Sequence, residues 1–320
     1  MQTTNEALRS LGQIPNLQVS AGVPLAPHTR FGLGGPADIY VETADVAAFV
    51  KAVAAARASG LRYTVLGGGT NVVVADEGFR GIVLKFTANS IRREGNLVTA
   101  DAGAELQQVI DFAIGHGLGG IETLAGIPGS LGAAVYGNAG AYGHSISEVV
   151  RQVLFFDGAC IRTIDNAQCE FEYRGSIFKR RKLWTIFSAS LELSPADPAA
   201  LRRTADEIIA IRNAKFPPTM KCAGSIFKNL LLAELPPAVA AQVPEKVVRE
   251  GKVPAAYFLE QVGAKGRSVG DIHVAEYHAN LVYNGGAGTT RDLCALIAEL
   301  KARVRERFGL ELEEEIQYVG

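Results

Sequence analysis

The 320-residue sequence has little of what marks secretion, membrane insertion or metal binding. Its four cysteines, Cys160, Cys169, Cys222 and Cys294, show neither paired metal-ligand spacing nor the density of a secreted disulfide framework, so they read as reduced and mostly buried thiols. The five histidines form no metal motif, and no metal is expected. No apolar run approaches the roughly 18–20 residues of a spanning helix. The polar start, Met1 to Leu11 with Glu6, lacks the charged-then-apolar layout of a signal peptide, which points to the cytoplasm and away from a membrane. Neither sign of charge dominates: the formal net charge is −1, without the basic excess of a nucleic-acid binder or of a polybasic anchor. Low-complexity tracts and fixed-period repeats are absent as well.

What remains is a chain with 48% hydrophobic and 20% charged residues, enough to fill the interiors of two or three domains. Thr43 to Gly60 reads as a helix capped by Thr43 or Asp45, with Val46, Phe49, Val50 and Val53 on its apolar face. Leu61–Leu66 and Gly81–Phe86 read as buried strands. Beyond Phe86 the period changes to hairpins, with Gly95-Asn96 and Asp157-Gly158 as turns, interrupted by one helix from Ala104 to about Gly115. Ser194-Pro195-Ala196-Asp197-Pro198 starts a helix to about Ala214, and the main boundary is placed near it. A helix from about Thr289 to Phe308 precedes a last strand. The fold class is α+β.

Two glycine-rich loops stand out. Gly67-Gly68-Gly69-Thr70-Asn71 follows a buried strand, and successive glycines let backbone N–H groups converge on an anion such as a pyrophosphate. It is neither the GxGxxG dinucleotide fingerprint nor a P-loop. The second loop, Ala125-Gly126-Ile127-Pro128-Gly129-Ser130-Leu131-Gly132, leads into a short helix whose N-terminus could face an anion or an electron-rich ring, and Asn138-Ala139-Gly140-Ala141-Tyr142-Gly143 closes that helix. So many glycines beyond the needs of turns imply backbone packed against a flat ligand.

With these loops in place, the sequence resembles the UDP-N-acetylenolpyruvoylglucosamine reductase family. The resemblance runs through Thr29-Arg30-Phe31-Gly32-Leu33-Gly34-Gly35-Pro36-Ala37-Asp38, the triple-glycine loop with Asp76-Glu77-Gly78-Phe79-Arg80-Gly81, and Ala125 to Gly129. It continues in Tyr173-Arg174-Gly175-Ser176-Ile177-Phe178-Lys179, Ala223-Gly224-Ser225-Ile226-Phe227-Lys228-Asn229, and Leu312-Glu313-Glu314-Glu315-Ile316. Arg174 and Ser225 stand 51 positions apart, the spacing of the shorter branch, which lacks a substrate-covering insertion. Two wordings depart from the family pattern: Ala133 to Gly137 before Asn138, and Glu314 where proline is frequent.

The resemblance implies a two-lobed FAD-binding domain of the vanillyl-alcohol-oxidase type, at 1–87 and 88–208. It also implies a substrate-binding domain at 209–320 whose C-terminal strand, expected over Leu310 to Val319, returns to the active site. FAD and NADPH are the implied cofactors, a UDP-sugar the substrate, and a monomer the expected state. Gly67, Gly68, Gly69, Thr70, Asn71, Gly126, Ile127, Pro128, Gly129, Ser130, Gly132, Asn138 and Ala141 are the implied flavin contacts. Arg174 would grip the substrate carboxylate, Ser225 would donate a proton, and Glu315 would complete the catalytic set. Strand alternation puts Glu313 and Glu315 on one side and cannot choose between them; the family pattern chooses Glu315. Tyr173, Lys215, Lys228, Asn229 and His278 are implied at the substrate. Two alternatives stay open: another flavin oxidoreductase of the same fold, and an inactive flavin-binding regulatory protein. Neither glycine loop carries the Cys or His that would tether a flavin.

Overall fold

The computed structural model describes residues 2–320, apart from the side chain of Gln2. The chain divides into two compact units: Met1–Val23 with Ala37–Gly68 and Phe79–Ala214, and Pro24–Pro36 with Gly69–Gly78 and Lys215–Gly320. Among the described residues no helix is long and apolar enough to cross a membrane.

The first unit carries two larger sheets and two short two-stranded ones among the described residues. One larger sheet runs in the order Gln18–Pro24, Pro36–Thr43, Phe79–Phe86, Tyr63–Val65. Its last three strands are parallel, with Tyr40 and Thr64 both opposite Val83. The crossover from Thr43 is the helix Val46–Ala58, and the Asp45 carboxylate caps it by accepting from Ala48 N at 2.9 Å. Thr43 itself stays in the strand, paired with Phe86, which is why the helix starts later than its sequence suggests. The second sheet is antiparallel, ordered Ile161–Asp165, Val150–Phe156, Thr185–Glu192, Leu97–Asp101, Ile91–Glu94. Both expected hairpin turns are there, their glycines at φ +60° (Gly95) and +93° (Gly158), which an L side chain adopts only at a cost. Helix Leu106–Gly115 buries Leu106, Val109, Ile110, Ala113 and Ile114.

One core joins these sheets. Phe49 meets Phe86 edge-on at 5.9 Å and Phe187 at 5.6 Å, so residues on either side of position 87 share an interior. The expected boundary at 87/88 therefore separates no cores. The boundary at 208/209 falls inside the helix Pro198–Lys215, which buries Leu201, Ala205 and Ile208 in the same core, and the unit ends at Ala214. The polar N-terminal stretch also folds: helix Gln2–Gly12 buries Ala7 and Leu11.

The second unit is built on an antiparallel sheet ordered Cys222–Ser225, His278–Asn284, Ile272–Ala275, Ser268–Val269. Helix Thr290–Phe308 opens on a Thr289/Asp292 capping box. Two excursions from early in the chain belong here. Val72–Val74 pairs in parallel with Gln317–Val319, and Phe31, Leu33 and Val73 lie in this unit's core. Asp76 accepts from the N–H groups of Thr290 at 2.8 Å and Arg291 at 2.9 Å, placing a carboxylate on the positive end of a helix more than 200 residues away. Only Gln317–Val319 of the expected Leu310–Val319 strand is paired as a strand. The rest is joined by one bridge, Phe227 to Glu314, and buries Leu310, Leu312 and Ile316 in the core.

Candidate active site

The glycine loops answer first to the chain itself. A Cβ on Gly69, at φ +66°, would lie 1.9 Å from the His28 carbonyl oxygen. One on Gly68 would touch Gly129 Cα and Ser130 N at 3.4 Å, so these two loops lie against each other in the first unit. One on Gly132 would meet Ala102 Cβ at 2.8 Å. Much of the glycine excess is thus close packing of backbone. Gly67 differs, since a Cβ there would meet only Ala133 Cβ at 3.9 Å and leaves open room.

The leading N–H groups of the helix Leu131–Gly137 have partners within the chain. Leu131 N donates to Ala104 O at 2.8 Å, Gly132 N to Ala102 O at 2.9 Å, and Ala133 N to Ser130 Oγ at 3.4 Å, so these leading donors are already engaged. Gly126 N and Ile127 N likewise donate to Gln107 Oε1 (2.8 Å) and Leu124 O (3.1 Å). This loop, with Pro128 lacking an N–H, can offer a flavin a surface more readily than donors. Asn138 lies at φ +45°; its Nδ2 donates to Glu172 O at 2.9 Å and its Oδ1 accepts from Ser147 N at 3.3 Å, so its amide braces the segment before Arg174. Ala141 pairs with His144 in a two-residue hairpin. Thr70 and Asn71 lie in the second unit with Gly69. Asn71 Oδ1 is buried with no hydrogen-bond partner among the described residues. A buried orphan acceptor in a polar loop fits a donor from a bound molecule, and a flavin carries such donors on its ring and ribityl chain.

Arg174 sits in a tight loop held from several sides. Glu172 and Gly175 bridge each other at 3.1 Å, and Lys179 Nζ donates to Arg174 O at 2.8 Å. The Arg174 backbone is left-handed, φ +57°, and its guanidinium lies 5.4 Å from the centre of the Tyr173 ring. Left-handed backbone at a non-glycine costs about 1–2 kcal/mol and recurs where function dictates the residue. Ser176 Oγ donates to Tyr136 O at 2.7 Å and anchors the loop's far end.

In the second unit the structure brings Ser225 and the Glu315 segment together. Ser225 ends its strand opposite Leu281, and the next residues pair with the C-terminal segment: Glu315 N donates to Ile226 O at 2.7 Å and Lys228 N to Glu313 O at 2.9 Å. Asn71 Nδ2 donates to Glu315 O at 3.0 Å, and Gln317 N donates to Asn71 O at 2.9 Å. The acidic run is sorted by its partners. Glu311 pairs with Arg305, Glu313 with Lys228, and Glu314 with Lys301 and the Tyr318 hydroxyl. Lys228, expected at the substrate, is therefore engaged by Glu313, while Asn229 is exposed.

Buried Asn280 escaped the sequence reading. Its Oδ1 accepts from Phe227 N at 2.9 Å, its Nδ2 donates to Phe227 O at 2.8 Å, and its backbone O accepts from Ile226 N at 3.1 Å. One side chain thus substitutes for a strand partner just after Ser225. An asparagine beside the apolar Ala279, Leu281 and Val282 was its signal in the sequence. His278, two residues earlier, accepts from Asn280 N on Nδ1 at 3.1 Å, which leaves the proton on Nε2. Burial, and then the charge of Lys215, push this imidazole down to about 4, so it is neutral at neutral pH. Lys215 lies over the Phe216 ring at 5.0 Å, and its backbone carbonyl accepts from the Tyr277 hydroxyl at 2.9 Å.

Known proteins share this sequence and fold. The family pattern described as an FAD binding domain matches residues 37–159, and that described as the C-terminal domain of UDP-N-acetylenolpyruvoylglucosamine reductase matches residues 216–319. The UDP-N-acetylenolpyruvoylglucosamine reductase of Solibacter usitatus is 65% identical over 97% of this chain and 99% of its own. That of Bacillus subtilis is 32% identical over 95% and 94%. The crystal structure of the Thermus caldophilus reductase superposes with a TM-score of 0.72 at 26% identity, covering 95% of this chain and 99% of that one.

Proposed function

Because this chain belongs to the UDP-N-acetylenolpyruvoylglucosamine reductase family, we propose that Arg174, Ser225 and Glu315 divide the catalytic work of the reduction among them. The enzyme is an FAD-dependent oxidoreductase that acts on UDP-N-acetylenolpyruvoylglucosamine in peptidoglycan precursor synthesis, with NADPH as reductant. Bound FAD would supply the hydride chemistry that no side chain can, linking NADPH to the terminal enolpyruvyl carbon.

Arg174 holds the substrate carboxylate with two parallel bonds and opposes the charge that builds there as the double bond is reduced. Its braced backbone supports that reading, since the clamp must not relax as charge develops. Ser225 gives a proton to the carbon next to the carboxylate; a hydroxyl is acid enough only beside so basic a centre. Glu315 works beside it, and the 2.7 Å bond from Glu315 N to Ile226 O is the observation that carries this assignment. Lys215, Tyr173, Lys228, Asn229 and neutral His278 serve the nucleotide-sugar. The protein works as a monomer in the cytoplasm.

The test separates the half-reactions. The yellow protein is bleached by NADPH without oxygen, and the UDP-enolpyruvyl sugar then restores the colour. Ser225→Ala should bleach at the parental rate and recolour about 10² to 10⁴ times more slowly. Equal slowing of both steps would overturn the role given to Ser225.

A further inference from the structure

Asn71 sits where the cofactor loop meets the catalytic carboxylate's backbone. Its Nδ2 donates to Glu315 O at 3.0 Å, its own carbonyl accepts from Gln317 N at 2.9 Å, and its Oδ1 is buried without a partner among the described residues. The loop cannot easily shift to relieve that orphan. Gly69, two residues earlier, packs under the His28 carbonyl, and Arg30 N donates to Gly69 O at 3.0 Å. On the far side, Val72–Val74 is locked in parallel register with Gln317–Val319. Glu315 is held at both its backbone groups, N–H by Ile226 O and C=O by Asn71 Nδ2. One of the two restraints comes from the segment next to Ser225 and the other from the cofactor loop.

We propose that Asn71 is a positioning residue that couples the flavin to Glu315: its Oδ1 takes a hydrogen-bond donor of the bound flavin while its Nδ2 sets the Glu315 backbone. An amide is the side chain this needs, because it presents an acceptor and a donor at once on a rigid plane. Once Oδ1 is engaged, rotation of the amide is stopped, and Nδ2 is aimed permanently at Glu315 O. Cofactor binding thus adds a restraint on the Glu315 main chain before substrate arrives. The inference rests on the role proposed for Glu315.

Two variants divide the two ends of the amide. Asn71→Asp keeps an acceptor but loses the donor to Glu315 O; Asn71→Ala loses both. Asn71→Asp should retain FAD, and its recolouring with the enolpyruvyl sugar should slow about 10- to 100-fold more than its bleaching by NADPH, the scale of a displaced catalytic group. Combined with Glu315→Gln it should cost little beyond Glu315→Gln alone. Asn71→Ala should also bind FAD about tenfold more weakly, the loss of roughly one hydrogen bond to a ligand. Amide exchange gives a readout apart from activity: adding FAD to the stripped protein should slow exchange at Glu315 and Gln317 in the parent and not in Asn71→Ala. Thermal unfolding and FAD content show that each variant is folded. If Glu315→Gln is slow and Asn71→Asp recolours at the parental rate, the coupling is overturned and the role of Glu315 stands. If Glu315→Gln itself recolours normally, that role falls and the coupling with it. FAD-induced slowing that persists in Asn71→Ala also overturns the coupling.

Discussion

At the scale of single residues, Arg174 shows what sequence conveys and what it hides. Its place in Tyr173-Arg174-Gly175 implies a carboxylate clamp, but nothing in the order of residues announces a backbone at φ +57°. Arg174→Gly should therefore relieve strain: thermal unfolding should be unchanged or shifted toward about 1 kcal/mol more stability, with activity lost. A marked loss of stability would mean that the guanidinium contributes more to the fold than its backbone costs. His278 carries a second expectation, for pH. The folded chain holds it down to about 4 against an ordinary 6.5, so the unfolded chain binds this proton first as pH falls. Stability from this group is complete above about 6.5 and declines between about 6.5 and about 4. Melting temperatures of His278→Gln should fall less steeply than the parent's across that window; parallel curves would rule the linkage out.

Among the elements, the first glycine loop carries opposite demands at neighbouring positions. Gly69→Ala drives a methyl into the His28 carbonyl at a positive φ and should cost at least about 2 kcal/mol, in the range of strained-backbone losses. Gly67→Ala, with 3.9 Å to its nearest neighbour, should leave the FAD-free protein within about 0.5 kcal/mol of the parent and weaken FAD binding instead. Urea unfolding of the stripped proteins, beside flavin fluorescence titration, measures both. Equal behaviour of the two variants would mean that the open face of Gly67 has no bearing on the cofactor. These demands look alike in sequence, because Gly-Gly-Gly says that side chains are excluded but not what excludes them. In the same way the short helix after the second loop was legible, whereas the engagement of Leu131 N by Ala104 O was not.

For the whole molecule, the absence of Cys and His from both loops carries an expectation about attachment. The purified protein should hold about one FAD per chain, released into the supernatant on acid precipitation. Flavin that stayed with the pellet would contradict this. Free FAD at 100 times its dissociation constant should raise stability by about 2.7 kcal/mol through mass action alone, read as a rise in melting temperature.

Local order alone determined much of this protein. Helix Leu106–Gly115 with its five buried residues, both hairpin turns, the helix start near Thr289 and the α+β class follow from periods and turn signals that span few residues. The chain's motifs in their order carry the family. Tertiary structure alone decided which unit claims a segment: Pro24–Pro36 and Gly69–Gly78 fold with Lys215–Gly320, through Asp76 on the closing helix and Val72–Val74 beside Gln317–Val319. It also sorted the acidic run, handing Glu311, Glu313 and Glu314 to Arg305, Lys228 and Lys301, and turned Asn71 and Asn280 into braces for the Glu315 and Ser225 segments. Pairings across tens to hundreds of residues leave no period in the sequence. They exist because a buried amide or carboxylate must find a partner wherever the folded chain presents one.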